Sequence, residues 1–346
     1  MAFDAESAET LEPFDPDAAA ASDGLFGLDT APDAARVVVV PVPWQATTSY
    51  RRGTRGGPQA LLHASYQVDL EDLDVGAVWR AGIAQVPADP RVAAWDQEVE
   101  ADALAVIESG GGEPDAAARV NARGDDLNAL VEATVSGILD EGRIPAVIGG
   151  DHSVPFGAIA AIAARHPGVG ILHIDAHADL RAAYEGFTWS HASIFHNVMT
   201  RLPDVATLVQ VGIRDVGASE VAFQKAQGAR IVPFFDNAMA RELARGTPWM
   251  HIVHRIVEAL PPTVYISFDV DGLDPAFCPN TGTPVPGGLT FRDVVVLLEA
   301  VSEHRRIVGF DLNEIGDAEW DGNVAARLLY KLCGWAARSQ GWRPPG

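Results

Sequence analysis

The chain has 346 residues, enough for one large domain or two small ones. Its 48% apolar content and 33 glycines are ordinary for a globular protein with a buried core. With 47 acidic and 25 basic side chains the formal charge is −22, which repels phosphate backbones, argues against nucleic acid as a partner and attracts cations.

Two cysteines, Cys278 and Cys333, make neither a disulfide framework nor a CxxC knuckle, and a reducing cytoplasm is the expected setting. The first residues lack the basic and apolar parts of a leader, and no apolar run reaches the length of a membrane span. Neither secretion nor a membrane partner is therefore expected.

In chain order, residues 1–35 come first. They hold Asp, Glu, Ala and Pro but no Lys or Arg, and read as an acidic, partly disordered extension. From Arg36 onward, short apolar runs predict strands at 37–42, 144–148, 170–174, 207–213, 231–235, 264–268 and 307–310. Helical periodicity predicts helices at 126–140, 155–164, 248–260, 291–304 and 323–338. All-apolar strands alternating with amphipathic helices specify a parallel sheet covered on both faces. No GxGxxG follows the first strand and no Walker A sequence occurs, so nucleotide-binding folds lose their main support.

Ligands of such a sheet bind beyond the carboxyl ends of its strands. Three strands here end in polar clusters. The first is Gly149-Gly150-Asp151-His152-Ser153, where the glycines permit a sharp turn. The second is Asp175-Ala176-His177-Ala178-Asp179, whose alternate side chains share one face if the backbone stays extended. The third, Asp269-Val270-Asp271, sets two carboxylates beside Phe268. Ionisable groups gathered at the edge of a core repel or desolvate one another unless a cation joins them. His152, Asp175, His177, Asp179, Asp269 and Asp271 are more donors than one zinc needs, and their oxygen bias suits two ions with shared carboxylates. Two ions about 3.5–4 Å apart activate a water by lowering its pKa toward roughly 7.

These motifs resemble those of the ureohydrolases: arginase, agmatinase, guanidinobutyrase and the guanidine hydrolases. Further matches are the segment from Thr48 to Ala60, Thr281-Gly282-Thr283-Pro284 and Pro286-Gly287-Gly288, so the resemblance runs from about Val37 to Trp335. It implies a single catalytic domain over 36–346 with a three-layer α/β/α arginase-like fold and a mainly parallel eight-stranded sheet. It also implies two divalent metal ions per chain, manganese or nickel. The assembly it implies is a trimer or hexamer, with a paralogous second subunit as the alternative. By the same resemblance His152 and Asp179 hold one ion, His177 and Asp271 the other, and Asp175 and Asp269 bridge.

Two more positions carry over. His191 matches a proton shuttle, although Ala192 stands where relatives have Gly. Glu314 matches the glutamate that pairs with a guanidinium, although Ile315-Gly316-Asp317 departs from the usual Asn-Pro. Asp179 or Asp271 would accept the proton of the attacking hydroxyl. The stretch 180–189 lacks arginase's pattern and carries Tyr184, Phe187 and Trp189. These rings are expected to wall the site, with Tyr184 and Trp189 against the substrate. Free guanidine or a small substituted guanidine or biguanide is then the expected substrate, and agmatine or guanidinobutyrate the alternative. A single-zinc deacetylase-like enzyme and a non-catalytic metal-binding subunit are the competing classes; the complete donor set argues against both.

Overall fold

The computed structural model describes residues 14–20 and 22–343. The chain runs β1 (Val37–Val42), α1 (Gly57–Ser65), β2 (Ile83–Gln85), α2 (Pro90–Glu108) and α3 (Pro114–Asp140). It continues through β3 (Ile144–Gly149), α4 (Phe156–Arg165), β4 (Val169–Ile174), α5 (Ile194–Arg201), β5 (Val205–Val211), α6 (Ala218–Gln227) and β6 (Ile231–Phe234). The last elements are α7 (Asp236–Ala244), α8 (Trp249–Ala259), β7 (Thr263–Asp269), α9 (Phe291–His304), β8 (Arg306–Asn313) and α10 (Glu319–Ser339).

The eight strands form one sheet in the order β2-β1-β3-β8-β7-β4-β5-β6, and every neighbouring pair is parallel. Continuous apolar runs such as Val37–Val42 are buried throughout, because helices cover both faces. Helices α1, α8, α9 and α10 close one core, and α2 to α5 close the other. The expected three-layer α/β/α arrangement is therefore present.

The pairings Ile148↔Leu312, Phe268↔Leu312 and Ile174↔Phe268 set the ends of β3, β8, β7 and β4 level. Three of these four central neighbours, β3, β7 and β4, carry the polar clusters, and Glu314 directly follows the fourth, β8. Strand β2 and helices α1, α2, α5, α6 and α7 were not among the expected elements. Strand β2 is only three residues long at the sheet edge. Helix α2 begins with Pro90 behind Asp89, whose side chain accepts the Arg91 N–H. Helix α3 also starts earlier than expected, again with proline in its first turn.

Residues 1–13 and 21, part of the acidic segment, lie outside the described residues. The segment read as an extension nevertheless contributes to the core: Leu25, Phe26 and Leu28 are buried. The Phe26 ring meets Tyr330 of α10 edge-on at 4.9 Å, and its N–H donates to Ser65 Oγ at 2.9 Å. The packed domain thus begins before residue 36. Phe26→Ala is expected to lower unfolding free energy by about 3 kcal/mol, since it empties a site between α1 and α10. Urea denaturation checks this, and an unchanged midpoint would show that the segment is not coupled to the fold.

Candidate metal centre

Strand β3 delivers His152 through two glycines. A Cβ on Gly150 would lie 1.6 Å from the Trp44 carbonyl oxygen, so no other residue fits there. The Glu314 N–H, arriving from β8, donates to the Gly150 carbonyl at 2.9 Å and ties the two strand ends together.

His152 Nδ1 lies 3.0 Å from Asp175 Oδ2, 3.3 Å from Asp179 Oδ2 and 3.3 Å from Asp269 Oδ2. His177 Nδ1 lies 3.0 Å from Asp271 Oδ2 and 3.5 Å from Asp175 Oδ1. All six residues named from the sequence therefore converge, and Asp175 stands between the two imidazoles with one oxygen toward each. The local geometry differs from the expected extended strand. Asp179 reaches the cluster through a left-handed backbone, φ 54°, and its carbonyl accepts the N–H groups of Phe195 and His196 in the first turn of α5. Asp269 and Asp271 are joined by one tight helical turn, in which Asp269 Oδ1 accepts the Asp271 N–H at 2.8 Å.

Outer partners fix the protons. Ser267 Oγ–H donates to Asp311 Oδ1 at 2.9 Å, so the serine oxygen accepts His152 Nε2–H at 3.0 Å. With Nε2 so engaged, Nδ1 is the nitrogen that faces the cluster, as a ligand requires. His173 carried no role in the sequence reading. Here it is fully buried, and its Nε2 lies 2.7 Å from Asp175 Oδ2. Gln210 Nε2 donates to the Ala178 carbonyl and also faces His173 Nδ1. Nδ1 therefore accepts, Nε2 carries the hydrogen, and His173 orients Asp175. Its signal in the sequence was its place two residues before Asp175 on the same strand face.

The electrostatics show a donor set short of positive charge. Burial, with repulsion from Asp175, pushes Asp179 up to about 7. Burial, with Asp271 and Asp175 nearby, holds Asp269 well above the carboxylate range. Burial would also raise Asp175, but His173, His152 and His177 outweigh it and hold it well below. Burial opposes charge on His152 and His177, yet the surrounding carboxylates raise both. In the absence of cations the cluster shares protons, and two divalent ions would replace them. The residues thus fit such ions: donor atoms gather in two groups, His152 and His173 with Asp175 and Asp179, and His177 with Asp175 and Asp271.

Glu314 Oε1 accepts the His152 backbone N–H at 2.9 Å, while Oε2 is buried without a partner. Its backbone is also left-handed, φ 62°. Burial and the Asp151 charge raise its pKa well above the usual range. His191 Nε2 is 3.4 Å from Ser49 Oγ, and its N–H donates to Thr47 Oγ1. Thr47 is in turn held by Asp151 Oδ2, which accepts both its N–H and its hydroxyl.

A cavity of about 250 Å³ opens onto His177 and Asp179, with Tyr184, His191, Ser49 and Asp215 in its walls. Trp189 does not line it, contrary to expectation. Its Nε1 donates to Asp125 Oδ1 on α3 at 2.7 Å, its ring packs on Phe156 at 4.7 Å, and Arg201 covers it. Phe187 is fully buried and is not a wall residue either. Consecutive left-handed residues, Glu185 and Gly186, reverse the chain and turn those two rings away from Tyr184.

A parallel α/β/α sandwich with a buried histidine–aspartate cluster at its carboxyl edge has the architecture of a metal-binding site. The chain belongs to the arginase family, whose sequence model matches residues 35–334. It is 34% identical over 322 residues to the N(1)-aminopropylagmatine ureohydrolase of Thermus thermophilus, covering 92% of this chain and 96% of that one. It is 30% identical over 307 residues to the guanidinobutyrase of Pseudomonas aeruginosa, covering 87% and 86%. The solved proclavaminate amidinohydrolase of Streptomyces clavuligerus superposes with a TM-score of 0.68 at 27% identity, covering 91% and 97%. The protein is a hydrolase of amidine C–N bonds, in a family of binuclear metal enzymes. That assignment displaces the single-zinc deacetylase alternative.

The pH dependence of the metal-free protein follows from these shifts. His152 and His177 are raised, so their stabilisation is complete below the ordinary histidine pKa and is lost as pH climbs through their folded values. Asp179 acts in the same direction, because the folded chain keeps a proton that the unfolded chain releases above about 4. Asp175 opposes them only where the unfolded carboxylate itself titrates, near about 4. The metal-free melting temperature is expected to fall from about pH 5.5 to about pH 8, and added Mn²⁺ or Ni²⁺ to raise it far more at the higher pH. Thermal scans at both values check this; equal metal stabilisation at the two would contradict it.

Proposed function

We propose that the chain hydrolyses a guanidine bearing a cationic tail, of the agmatine class, to urea and the corresponding amine. The observation that carries this reading is the open cavity leading from His177 and Asp179 to Asp215, an exposed carboxylate with no ion pair among the described residues. Arg181 and Glu220, also at the cavity, approach to 3.5 Å and largely offset one another, which leaves Asp215 to favour a cation over an anion. A volume of about 250 Å³ exceeds what a bare guanidinium fills. With Trp189 and Phe187 turned away, the steric argument for free guanidine is gone. Relatives named for aminopropylagmatine and agmatine point in the same direction.

Two divalent cations, manganese or nickel, held by His152, Asp175, His177, Asp179, Asp269 and Asp271 would supply an ionised water and stabilise developing negative charge. The chain's own groups do the rest. Glu314 Oε2 accepts guanidinium N–H groups and orients the carbon. Asp179 or Asp271 takes the nucleophile's proton. His191 at the cavity wall, its pKa lowered by burial, gives a proton to the leaving nitrogen. Tyr184, whose ring meets His191 edge-on at 6.0 Å, lines the path of the tail. A homo-oligomer, trimeric or hexameric, and a cytoplasmic setting belong to the same reading.

Urea release with Mn²⁺ or Ni²⁺ tests it across agmatine, guanidinobutyrate, ethylguanidine and guanidine. Agmatine is expected to have the highest kcat/KM, and Asp215→Asn to reduce its advantage over guanidinobutyrate about tenfold. A preference for guanidine, or an unchanged ratio in the variant, would overturn the tail assignment. Glu314→Gln keeps shape and removes charge. It is expected to cost about 3–5 kcal/mol in kcat/KM with metal content unchanged. Near-normal turnover would transfer guanidinium recognition to another carboxylate.

A further inference from the structure

Helices α2 and α3 supply none of the residues of the metal centre, yet two of the loops that wall the cavity are bolted to them. The loop after β1 carries Thr47, Ser49 and Tyr50. It is held by α2: Asp96, 1% exposed, accepts the Gln45 N–H at 2.9 Å and pairs with Arg55 Nη1 at 2.9 Å. One turn further along α2, Glu100 pairs with Arg55 Nη2 at 2.6 Å and with Arg52 at 3.3 Å.

The loop after β4 carries Tyr184. It is held by α3. Asn121 Nδ2 donates to the Gly186 carbonyl at 3.0 Å, and Asn121 Oδ1 accepts the Thr188 N–H at 2.8 Å. One turn along α3, Asp125 takes the Trp189 indole, and that ring lies so close over Gly124 that a Cβ there would be 2.8 Å from it. The connection between the helices also touches this loop, since a Cβ on Gly111 would lie 3.2 Å from the Glu185 carbonyl. The two helices are themselves stitched together by Arg119 to Asp102 at 2.6 Å and Arg123 to Glu98 at 2.8 Å.

We propose that the α2–α3 hairpin is a brace that sets the spacing of two of the cavity walls, the loops after β1 and β4, with Asn121 and Asp125 as positioning residues for substrates that carry a tail. The inference rests on the tailed-guanidine reading. The reactive end of the substrate depends on strand ends that the brace does not touch. The tail passes Tyr184 and Tyr50, which the brace places, on its way to Asp215, which the brace does not hold. Loosening the α3 arm therefore weakens tail binding, while His191 stays anchored through Thr47 and Asp151 and the chemical step is left alone.

The test uses the metal-loaded protein with agmatine and with ethylguanidine, whose chain is too short to follow the cavity outward. In Asn121→Ala the KM for agmatine is expected to rise about tenfold, with kcat within about twofold and ethylguanidine kinetics unchanged. Asp125→Ala should do the same to a smaller extent. Asp125→Asn keeps an oxygen for the indole N–H and should match the wild type. Hydrogen exchange at residues 181–189 should quicken in both alanine variants and not in Asp125→Asn. Equal losses for both substrates, a fall in kcat in place of a rise in KM, or unchanged exchange would overturn the proposal. A wild type that releases urea from neither compound would overturn the substrate reading instead, and exchange at 181–189 would then decide for or against the brace.

Discussion

Four aspartates, Asp175, Asp179, Asp269 and Asp271, lie almost fully buried around two imidazoles, and much of the structure answers to that crowding. Charges of one sign this close, away from water, are costly unless opposite charge joins them. The opposite shifts of Asp175 and Asp269 register the conflict: one carboxylate collects the available positive partners and is lowered, and the other, crowded by Asp271 and Asp175, is raised. A pair of divalent cations resolves it, which explains why the donors are oxygen-rich and why Asp175 is aimed at both halves of the site.

Such a cluster needs a rigid frame. The four central strands β3, β8, β7 and β4 end at one level and present their residues to a single point, although they are distant in sequence. Beyond the donors, hydrogen bonds fix orientation. Asp311 through Ser267 sets the His152 tautomer, and Gln210 through His173 aims Asp175. Arg214 binds the carbonyl oxygens of Asp271, Leu273 and Val285, which holds the turn after β7 against the sheet. Two of the described non-glycine residues with left-handed backbone are Asp179 and Glu314, a departure from relaxed geometry where the site demands it.

Reaction and recognition are thereby divided between different parts of the fold. Strand ends carry the charge-bearing groups, where displacement is least tolerated. Loops carry Tyr50, Tyr184 and His191, where the cavity is shaped. Tyr50 is 70% exposed at the mouth, while Asp175 and His152 lie out of reach of bulk water. Loop variation around a constant centre suits a family whose members are named for guanidino compounds with different tails.

The sequence by itself determined the parallel sheet and singled out the six residues that converge beyond it. Buried strands are continuous apolar runs, and ionisable residues set directly after them have no other plausible place, so a local pattern carried the information. Glu314 and His191 were legible only through motif resemblance. The tertiary structure decided the rest. Leu25, Phe26 and Leu28 enter the core because α1 and α10 leave a site for them, which an acidic local composition conceals. Three neighbouring aromatic residues looked equivalent in sequence. The reversal at Glu185–Gly186 and the hydrogen bonds from Asn121 and Asp125 decide that Tyr184 faces the cavity and Trp189 faces α3. The direction of a ring on a turn depends on backbone dihedrals and on partners about 60 residues away in the chain, and no local pattern encodes either.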